Sequence, residues 1–251
     1  MSVIRPGFWD AWDLGDDLYA WWCGDDHGSS LMTDDGLGRI SSWKDRKHRI
    51  NLTAATTARP TWSATGFNSS KPAPVFDGAA SCLRGTDLSL LPTGSTPCEI
   101  WALVEFTGAL GTTSGRIPIS YGGVSGATRR QVAFTNQTAA SFTVGDGATN
   151  TANLVASAQP RSVLPKVIGA LFTGTTIAGR NDGYPGLSIA AASLATTATR
   201  FAIGSNNLNT AGNFFPGVIR QVLITKILSI ANRLRMEGWL AWDGGIQSVL
   251  P

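Results

Sequence analysis

A single stretch of the chain carries helical periodicity, and it lies near the C-terminus. Residues 218–224 form an apolar, β-branched run with the length of a buried strand. Ser229 follows as a predicted N-cap, because its hydroxyl can accept a hydrogen bond from the first helical turn. The predicted helix covers residues 230–242, with Arg233 and Glu237 off its apolar stripe. The residues predicted on the stripe are Ile227, Ile230, Ala231, Leu234, Gly238 and Ala241.

The chain ahead of this unit reads as short strands separated by turns. Residues 98–106 alternate with a period of two, and their second face carries the large apolar groups Trp101 and Leu103. A second sheet, the helix or a partner would cover that face. Further strands are predicted at 18–23, 38–45, 116–121, 130–134, 139–144, 166–172, 175–178 and 201–203. Turn signals separate them, and 251 residues suffice for one large antiparallel sandwich.

Both ends of the chain resemble concanavalin A-like, laminin-G-like jelly-roll proteins of bacteria and phages. At the C-terminal end the matching residues are Ser229, Arg233 and the run 237–242. At the N-terminal end they are Trp22, Asp25, Asp26, Trp43, Asp45, the run 59–62 and the run 75–78. The resemblance implies an all-β, two-sheet antiparallel jelly-roll sandwich over residues 18–251, with one short C-terminal helix. It also implies an origin in a bacteriophage or a phage-like particle.

Composition argues against several partners. Charged residues make up 15% of the chain and the net charge is +3. The one basic run, residues 44–49, contains an acid and reads as a loop, so nucleic-acid binding is disfavoured. The three cysteines lack metal-ligand spacing and are predicted to be buried. We expect neither a signal peptide nor membrane insertion, because no long apolar run is present.

Catalytic chemistry finds little support in the sequence. Glycoside hydrolysis needs two facing carboxylates, yet the only glutamates are Glu99, Glu105 and Glu237, and no strand carries acids two residues apart in the expected motif. His27 and His48 are isolated in polar loops and are expected to be solvated. We therefore predict no catalytic residues and a protein that is not an enzyme.

Binding chemistry leaves more candidates. Many laminin-G-like domains carry calcium, so Asp25 and Asp26 are candidate ligands for an optional Ca²⁺; otherwise these acids are turn formers. Trp62, Tyr121 and Tyr184 are candidate carbohydrate-binding residues, because aromatic rings next to polar loops can stack on sugar rings. Partial burial of each ring is the alternative.

Residues 1–17 are predicted to form an N-terminal arm. Its large aromatic side chains are Phe8, Trp9 and Trp12. They either pack on the domain's own surface or dock into a neighbouring subunit, since exposed aromatic groups of this size are normally covered.

The leading hypothesis is a non-catalytic surface protein on the virion of a tailed phage or phage-like particle. It would present a lectin-like face to host glycans, with other virion proteins and further copies of itself as partners. A structural or decoration subunit without sugar binding is the first alternative, and a glycoside hydrolase is the second.

Overall fold

A computed structural model describes residues 9–86, 89–107, 116–123, 129–134, 142–145, 151–154, 165–190, 196–197, 200–206 and 212–249. Two antiparallel sheets, with strands numbered in chain order, pack face to face. Sheet A runs β15 (Tyr184–Ala190), β14 (Thr176–Asn181), β13 (Lys166–Phe172), β8 (Cys98–Phe106), β17 (Pro216–Thr225), β6 (Lys71–Asp77) and β5 (Thr61–Phe67), with β1 (Leu18–Cys23) also paired to β17. Sheet B runs β12 (Thr151–Leu154), β11 (Phe142–Gly145), β10 (Arg129–Phe134), β9 (Arg116–Gly122), β16 (Arg200–Ile203), β7 (Leu83–Gly85), β4 (Asn51–Thr53), β3 (Ile40–Lys44) and β2 (Met32–Asp34).

One α-helix, α1 (Ile230–Gly244), lies outside sheet A. Short 3-10 helices cover Ala11–Asp17, Gly24–Asp26, Thr56–Ala58 and Gln247–Val249. Within the described ranges, no helix is long and apolar enough to cross a bilayer. The predicted all-β, two-sheet antiparallel fold with a C-terminal helix is confirmed, and β1 pairs with β17, so strands from the two ends of the chain are neighbours.

Several strands were missed by the sequence patterns. Of these, β2, β4 and β7 have only three residues each, which is too short for a period to be visible. The start of β15 lies in a Tyr-Pro-Gly sequence that is typical of a turn. β15 still forms, because the residues Asp182 and Gly183, both at positive φ, make a tight connection from β14.

The alternation in β8 separates two apolar cores, as predicted. Cys98, Ile100, Ala102, Val104 and Phe106 face the core between the sheets. Trp101 and Leu103 point to the opposite side and join a second core beneath α1 and the first 3-10 helix. The sequence did not decide whether a second sheet, the helix or a partner covers this face. The chain's own helices cover it.

The predicted buried stripe of the helix is largely wrong. The Ser229 side chain accepts from the backbone amide of Asn232, as expected for an N-cap. Ile230 is nevertheless 75% exposed and Leu234 is 56% exposed. The buried residues of α1 are Met236, Glu237, Leu240, Ala241 and Gly244.

Two ion pairs to sheet A explain this orientation of α1. Arg233 Nη2 lies 2.5 Å from Glu99, and Glu237 lies 2.5 Å from Arg180 Nε. The charged residues that the sequence pattern placed off the apolar stripe therefore face the sheet, because their partners lie on strands of sheet A.

The described part of the arm packs on the domain's own surface. Ala11 and Leu14 are buried in the second core. The Trp9 ring meets Trp239 at 6.2 Å, and the Trp12 ring meets Trp21 at 5.6 Å, both edge-on. Trp12 stays 44% exposed, so its docking to a neighbouring subunit stays a prediction. Phe8 lies outside the described residues.

Candidate functional site

The three predicted sugar-binding aromatic residues do not converge on one site. Trp62 lies on β5 and Tyr184 on β15, which are the opposite edges of sheet A. Both side chains are partly exposed. Tyr121 is fully buried between the sheets, with the Arg130 guanidinium 5.7 Å from its ring centroid. Its hydroxyl donates to the Pro92 carbonyl. The expectation that Tyr121 meets a sugar is corrected, because its ring is part of the core.

Trp62 belongs to a small polar cluster that the sequence did not reveal. The His27 ring stacks on it with 4.1 Å between centroids and 15° between planes. His27 Nε2 lies 2.7 Å from Asp34 Oδ2, and Trp62 Nε1 donates to the Gly24 carbonyl at 3.4 Å. His27 is thus partly buried rather than solvated, and it covers one face of the ring that was predicted to stack on a sugar.

The carboxylates of Asp25 and Asp26 each form an ion pair with an arginine. Arg220 donates to both oxygens of Asp25, at 3.1 and 2.9 Å. Arg46 donates from Nε to Asp26 at 2.9 Å. Burial raises the pKa of Asp26, and Arg46 acts in the opposite direction. Among the described residues no group of three or more His, Cys, Asp or Glu side chains gathers as a metal site would require. This donor set does not fit calcium, because two guanidinium groups already hold the carboxylates.

Arg220 is the centre of a buried network on the outer side of sheet A. It is 2% exposed and bonds both oxygens of Asp243, at 2.6 and 2.7 Å, as well as the Pro72 carbonyl at 2.7 Å. Burial lowers the pKa of Arg220, but the hydrogen bonds that it donates to Asp243 and Asp25 outweigh that effect and raise it. The network ties the start of the chain, β17 and the end of α1 together.

The three glutamates also form hydrogen bonds or ion pairs that hold elements packed on sheet A. Glu99 is fully buried and accepts from Arg233, from the Leu228 amide at 3.0 Å and from Trp101 Nε1 at 2.8 Å. Glu105 accepts from the backbone amide of Asn68 at 2.7 Å, and Glu237 forms an ion pair with Arg180. Each therefore fixes α1, the β5–β6 turn or the neighbouring strands.

A cleft opens on the outer side of sheet B, between β4 and β7. These strands pair at Thr53 and Arg84, and Gly85 packs so closely on β4 that a Cβ there would lie 2.9 Å from the Asn51 carbonyl oxygen. The cleft has a volume of about 460 Å³. Its lining residues are His48, Arg49, Ile50, Asn51, Thr53, Arg84, Gly85 and Thr86. Outward-facing positions of both strands and one end of the preceding loop thus meet around one opening.

The loop before β4 is held in place by Asp45. This carboxylate is fully buried and accepts from the backbone amides of Lys47 at 2.8 Å, His48 at 2.9 Å and Ile50 at 2.5 Å. Two side chains of the basic run are tied down elsewhere: Arg46 on Asp26, and Lys47 on the carbonyls of residues 15 and 18. His48 and Arg49 remain exposed at the cleft.

The charged side chains among the described lining residues are basic. Burial lowers the pKa of Arg84, and the like charge of Arg200 on the neighbouring strand β16 lowers it further. None of the eight lining residues is acidic. Asp87 follows Thr86 in the chain and lies outside the described residues. The sequence signal for this site was the basic run 44–49, which we had assigned only to a loop.

No protein-family model matches this chain, and no curated protein matches it. Several solved structures share its fold. Domain 4 of AbnA, a GH43 extracellular arabinanase from Geobacillus stearothermophilus, solved in complex with arabinotriose, aligns with a TM-score of 0.56 at 12% identity, over 94% of this chain and 98% of that domain.

Two further matches are larger proteins. A GH54 α-L-arabinofuranosidase soaked with a cyclic sulfate inhibitor aligns with a TM-score of 0.62 at 12% identity, over 93% of this chain and 60% of that one. A Trypanosoma rangeli sialidase in complex with 2,3-difluorosialic acid aligns with a TM-score of 0.59 at 11% identity, over 90% of this chain and 33% of that one. This chain therefore spans only part of either protein.

These structures correct one expectation and limit another. The prediction that the chain is not an enzyme is contradicted, because its sandwich aligns over nearly its whole length with glycoside hydrolases. The three names are those of an arabinanase domain, an arabinofuranosidase and a sialidase, so they give the phage origin no support. At 11–12% identity the likeness establishes the fold: a β-sandwich shared with domains of glycoside-hydrolase proteins.

Proposed function

We propose that this chain binds carbohydrate, and that the cleft between β4 and β7 is the binding site. The observation that carries the proposal is the cleft itself, a hollow of about 460 Å³ whose lining includes an amide, two hydroxyls and two arginines. The fold likeness adds support, since the AbnA domain that it matches almost completely was solved with arabinotriose. Outer-face positions of sheet A are instead covered by α1 and the first 3-10 helix.

The lining chemistry suits sugar hydroxyls. Asn51 both donates and accepts, Thr53 and Thr86 do so through one oxygen, and Arg84 donates. The volume lies within the range of small-molecule sites, roughly 300–1,000 Å³. No aromatic side chain is among the described lining residues. Hydrogen bonds rather than ring stacking would therefore provide most of the affinity.

Isothermal titration of the purified protein with a panel of neutral and acidic oligosaccharides tests the proposal. Asn51→Ala removes two hydrogen-bonding functions from the cleft, so we expect it to weaken binding about fivefold. Asn232→Ala on α1 is the matched control and should leave the affinity unchanged. The absence of saturable binding, or equal affinities for wild type and Asn51→Ala, would contradict the proposal. Chromatography of the same samples reports any cleavage of the sugar.

We also propose that the domain works on the surface of a tailed phage or phage-like particle and binds host glycans there. Other virion proteins and further copies of the chain would be its partners. The resemblance of the two chain ends to jelly-roll phage proteins supports this part. Mass spectrometry of purified particles from the source strain is the test, and the absence of the chain from them would contradict it.

A further inference from the structure

We propose that the outer side of α1 and of the first 3-10 helix (Ala11–Asp17) is a homodimer interface, which a second copy of this chain occupies. The inference rests on the proposed association of the chain with further copies of itself, and it adds the surface. It follows from the exposure, the direction and the charge of these two neighbouring elements.

The face of α1 that points away from sheet A is apolar in its N-terminal half. Ile230 is 75% exposed, and Leu234 is 56% exposed one turn later. Ile227, just ahead of the helix, is 37% exposed. Gly238 continues the row by one more turn, and a Cβ added there would meet no atom within 4 Å. Contiguous exposed apolar groups of this kind mark interaction surfaces.

The first 3-10 helix lies beside α1 and runs in the opposite direction. Trp9, just ahead of the 3-10 helix, meets Trp239 at 6.2 Å. At the other end, the backbone amide of Lys226 donates to the Asp17 carbonyl at 2.8 Å. A twofold axis that runs between the two elements, parallel to both, therefore lays the 3-10 helix of each copy on α1 of the other. Such an interface is self-complementary, as a twofold dimer requires.

The exposed charges of the two elements have opposite signs. The 3-10 helix exposes Asp13 and Asp16 and contains no basic residue. Arg235 of α1 is exposed, whereas both acids of that helix form ion pairs with arginines of sheet A. Because residue 9 lies beside residue 239 and residue 17 beside residue 226, the twofold arrangement brings Asp13 of one copy over the middle of the other α1. This carboxylate then lies near Arg235.

Trp12 provides a large apolar side chain for the same contact. Its ring is 44% exposed, although one edge packs on Trp21 at 5.6 Å. It directly precedes Asp13, so in the dimer it faces the exposed row of the other copy. The bare backbone at Gly238 leaves room there for an aromatic ring. A large aromatic residue in a gap of the facing surface is typical of the residues that provide most of the affinity of an interface.

The dimer leaves both carbohydrate clefts open. Each cleft lies on the outer side of sheet B, whereas α1 lies on the outer side of sheet A. The two clefts of a dimer therefore point away from each other, and the dimer can link two glycan-bearing surfaces. Because an interface of two short elements buries less than the roughly 800 Å² per partner of a standard interface, we expect a dissociation constant of about 50 μM.

Sedimentation equilibrium of the full chain without sugar, from about 1 to about 500 μM, tests the interface. Leu234→Gln and Gly238→Gln should each weaken dimerisation about tenfold. Both positions are open in the single chain, and Gln forms helices better than Gly, so neither variant should melt at a lower temperature at about 1 μM. Leu37→Gln, which changes another exposed leucine, is the matched control and should leave dimerisation unchanged.

A charge exchange tests the orientation of the two copies. Arg235→Glu should weaken the dimer about fivefold, because the new carboxylate faces Asp13 of the other copy. The double variant Asp13→Lys/Arg235→Glu should return to within about twofold of the wild-type dissociation constant. A double variant as weak as Arg235→Glu would contradict the twofold arrangement.

The remaining outcomes separate this inference from the proposed carbohydrate binding, which is measured independently. A wild-type chain that stays monomeric up to about 500 μM, or equal dimerisation of Leu234→Gln, Gly238→Gln and Leu37→Gln, would overturn the interface and leave the cleft proposal intact. Dimerisation that appears only after removal of residues 2–8 would also overturn it, because that segment would then occupy the face. Dimerisation of a chain that binds no sugar would support the interface and overturn only the cleft proposal.

Discussion

The outer faces of the two sheets differ in how they use charge. On sheet A, buried carboxylates of α1 and β8 meet arginines, and the helices cover the apolar residues between them. On sheet B, the cleft at β4 and β7 is lined by basic and neutral polar groups. The comparison indicates that three ion pairs hold α1 on sheet A.

Removal of Arg220 should have the largest effect on stability. Arg220→Met leaves Asp243 and Asp25 without their shared partner in a mostly buried network. We expect the free energy of unfolding to fall by about 3 kcal/mol, as measured by chemical denaturation. Arg235→Met, at an exposed position of α1, is the control and should cost less than about 0.5 kcal/mol. A loss below about 1 kcal/mol for Arg220→Met would mean that the Arg220 network contributes little to the stability of the fold.

Truncation of Leu14 should have the second-largest effect on the free energy of unfolding. This side chain is buried in the core outside sheet A, so Leu14→Ala should lower the free energy of unfolding by about 2 kcal/mol. Leu37→Ala, at an exposed position, should change it by less than about 0.5 kcal/mol. Equal stability of the two variants would show that residues 9–17 are a detachable arm, as the sequence first suggested.

Asp77, in the turn that leads from sheet A to sheet B, should give a smaller, pH-dependent effect. Burial raises its pKa, but bonds from the amides of residues 79–81 and the Ser81 hydroxyl outweigh burial and hold the pKa at about 2. Because this pKa lies below its unfolded-state value, the carboxylate stabilises the fold above about pH 4 and loses that effect as the pH falls towards 2.

Melting temperatures of wild type and Asp77→Asn check this sign. The variant should melt at a lower temperature near pH 6, and the difference should shrink as the pH falls from 5 to 2. A difference that stays constant over this range would exclude the carboxylate charge as its cause.

Calcium should have the smallest effect. Since Arg220 and Arg46 already hold Asp25 and Asp26, EDTA should leave the melting temperature and glycan affinity of purified protein unchanged. A decrease of more than about 2 °C, large enough to signal a stability loss in a chain of this length, would show that these aspartates bind a metal.

Local patterns predicted the fold well. The alternation in β8, the apolar run of β17 and the Ser229 cap each depend on neighbouring residues, and each is present as expected. The helix orientation could not be predicted, because Glu99 and Arg233 lie 134 residues apart in sequence. Three-residue strands such as β4 leave no visible period.

The candidate site was harder to predict than the fold. Its lining combines residues of β4 and β7, which are distant in sequence. The exposure of His48 and Arg49 depends on which members of the basic run find partners elsewhere. Asp45 was the usable signal, since an aspartate that follows a strand commonly bonds the amides of the next turn. The burial of Tyr121 shows that an aromatic residue before Gly-Gly can still belong to a core strand.

Amide chemical-shift mapping by NMR, during titration with the tightest-binding oligosaccharide, tests the central claim most directly. The account predicts saturable shifts centred on residues 48–53 and 84–86, with α1 unaffected. Shifts centred on α1, or at Trp62 and Tyr184 on the edges of sheet A, would contradict it and place recognition on the face that we describe as closed.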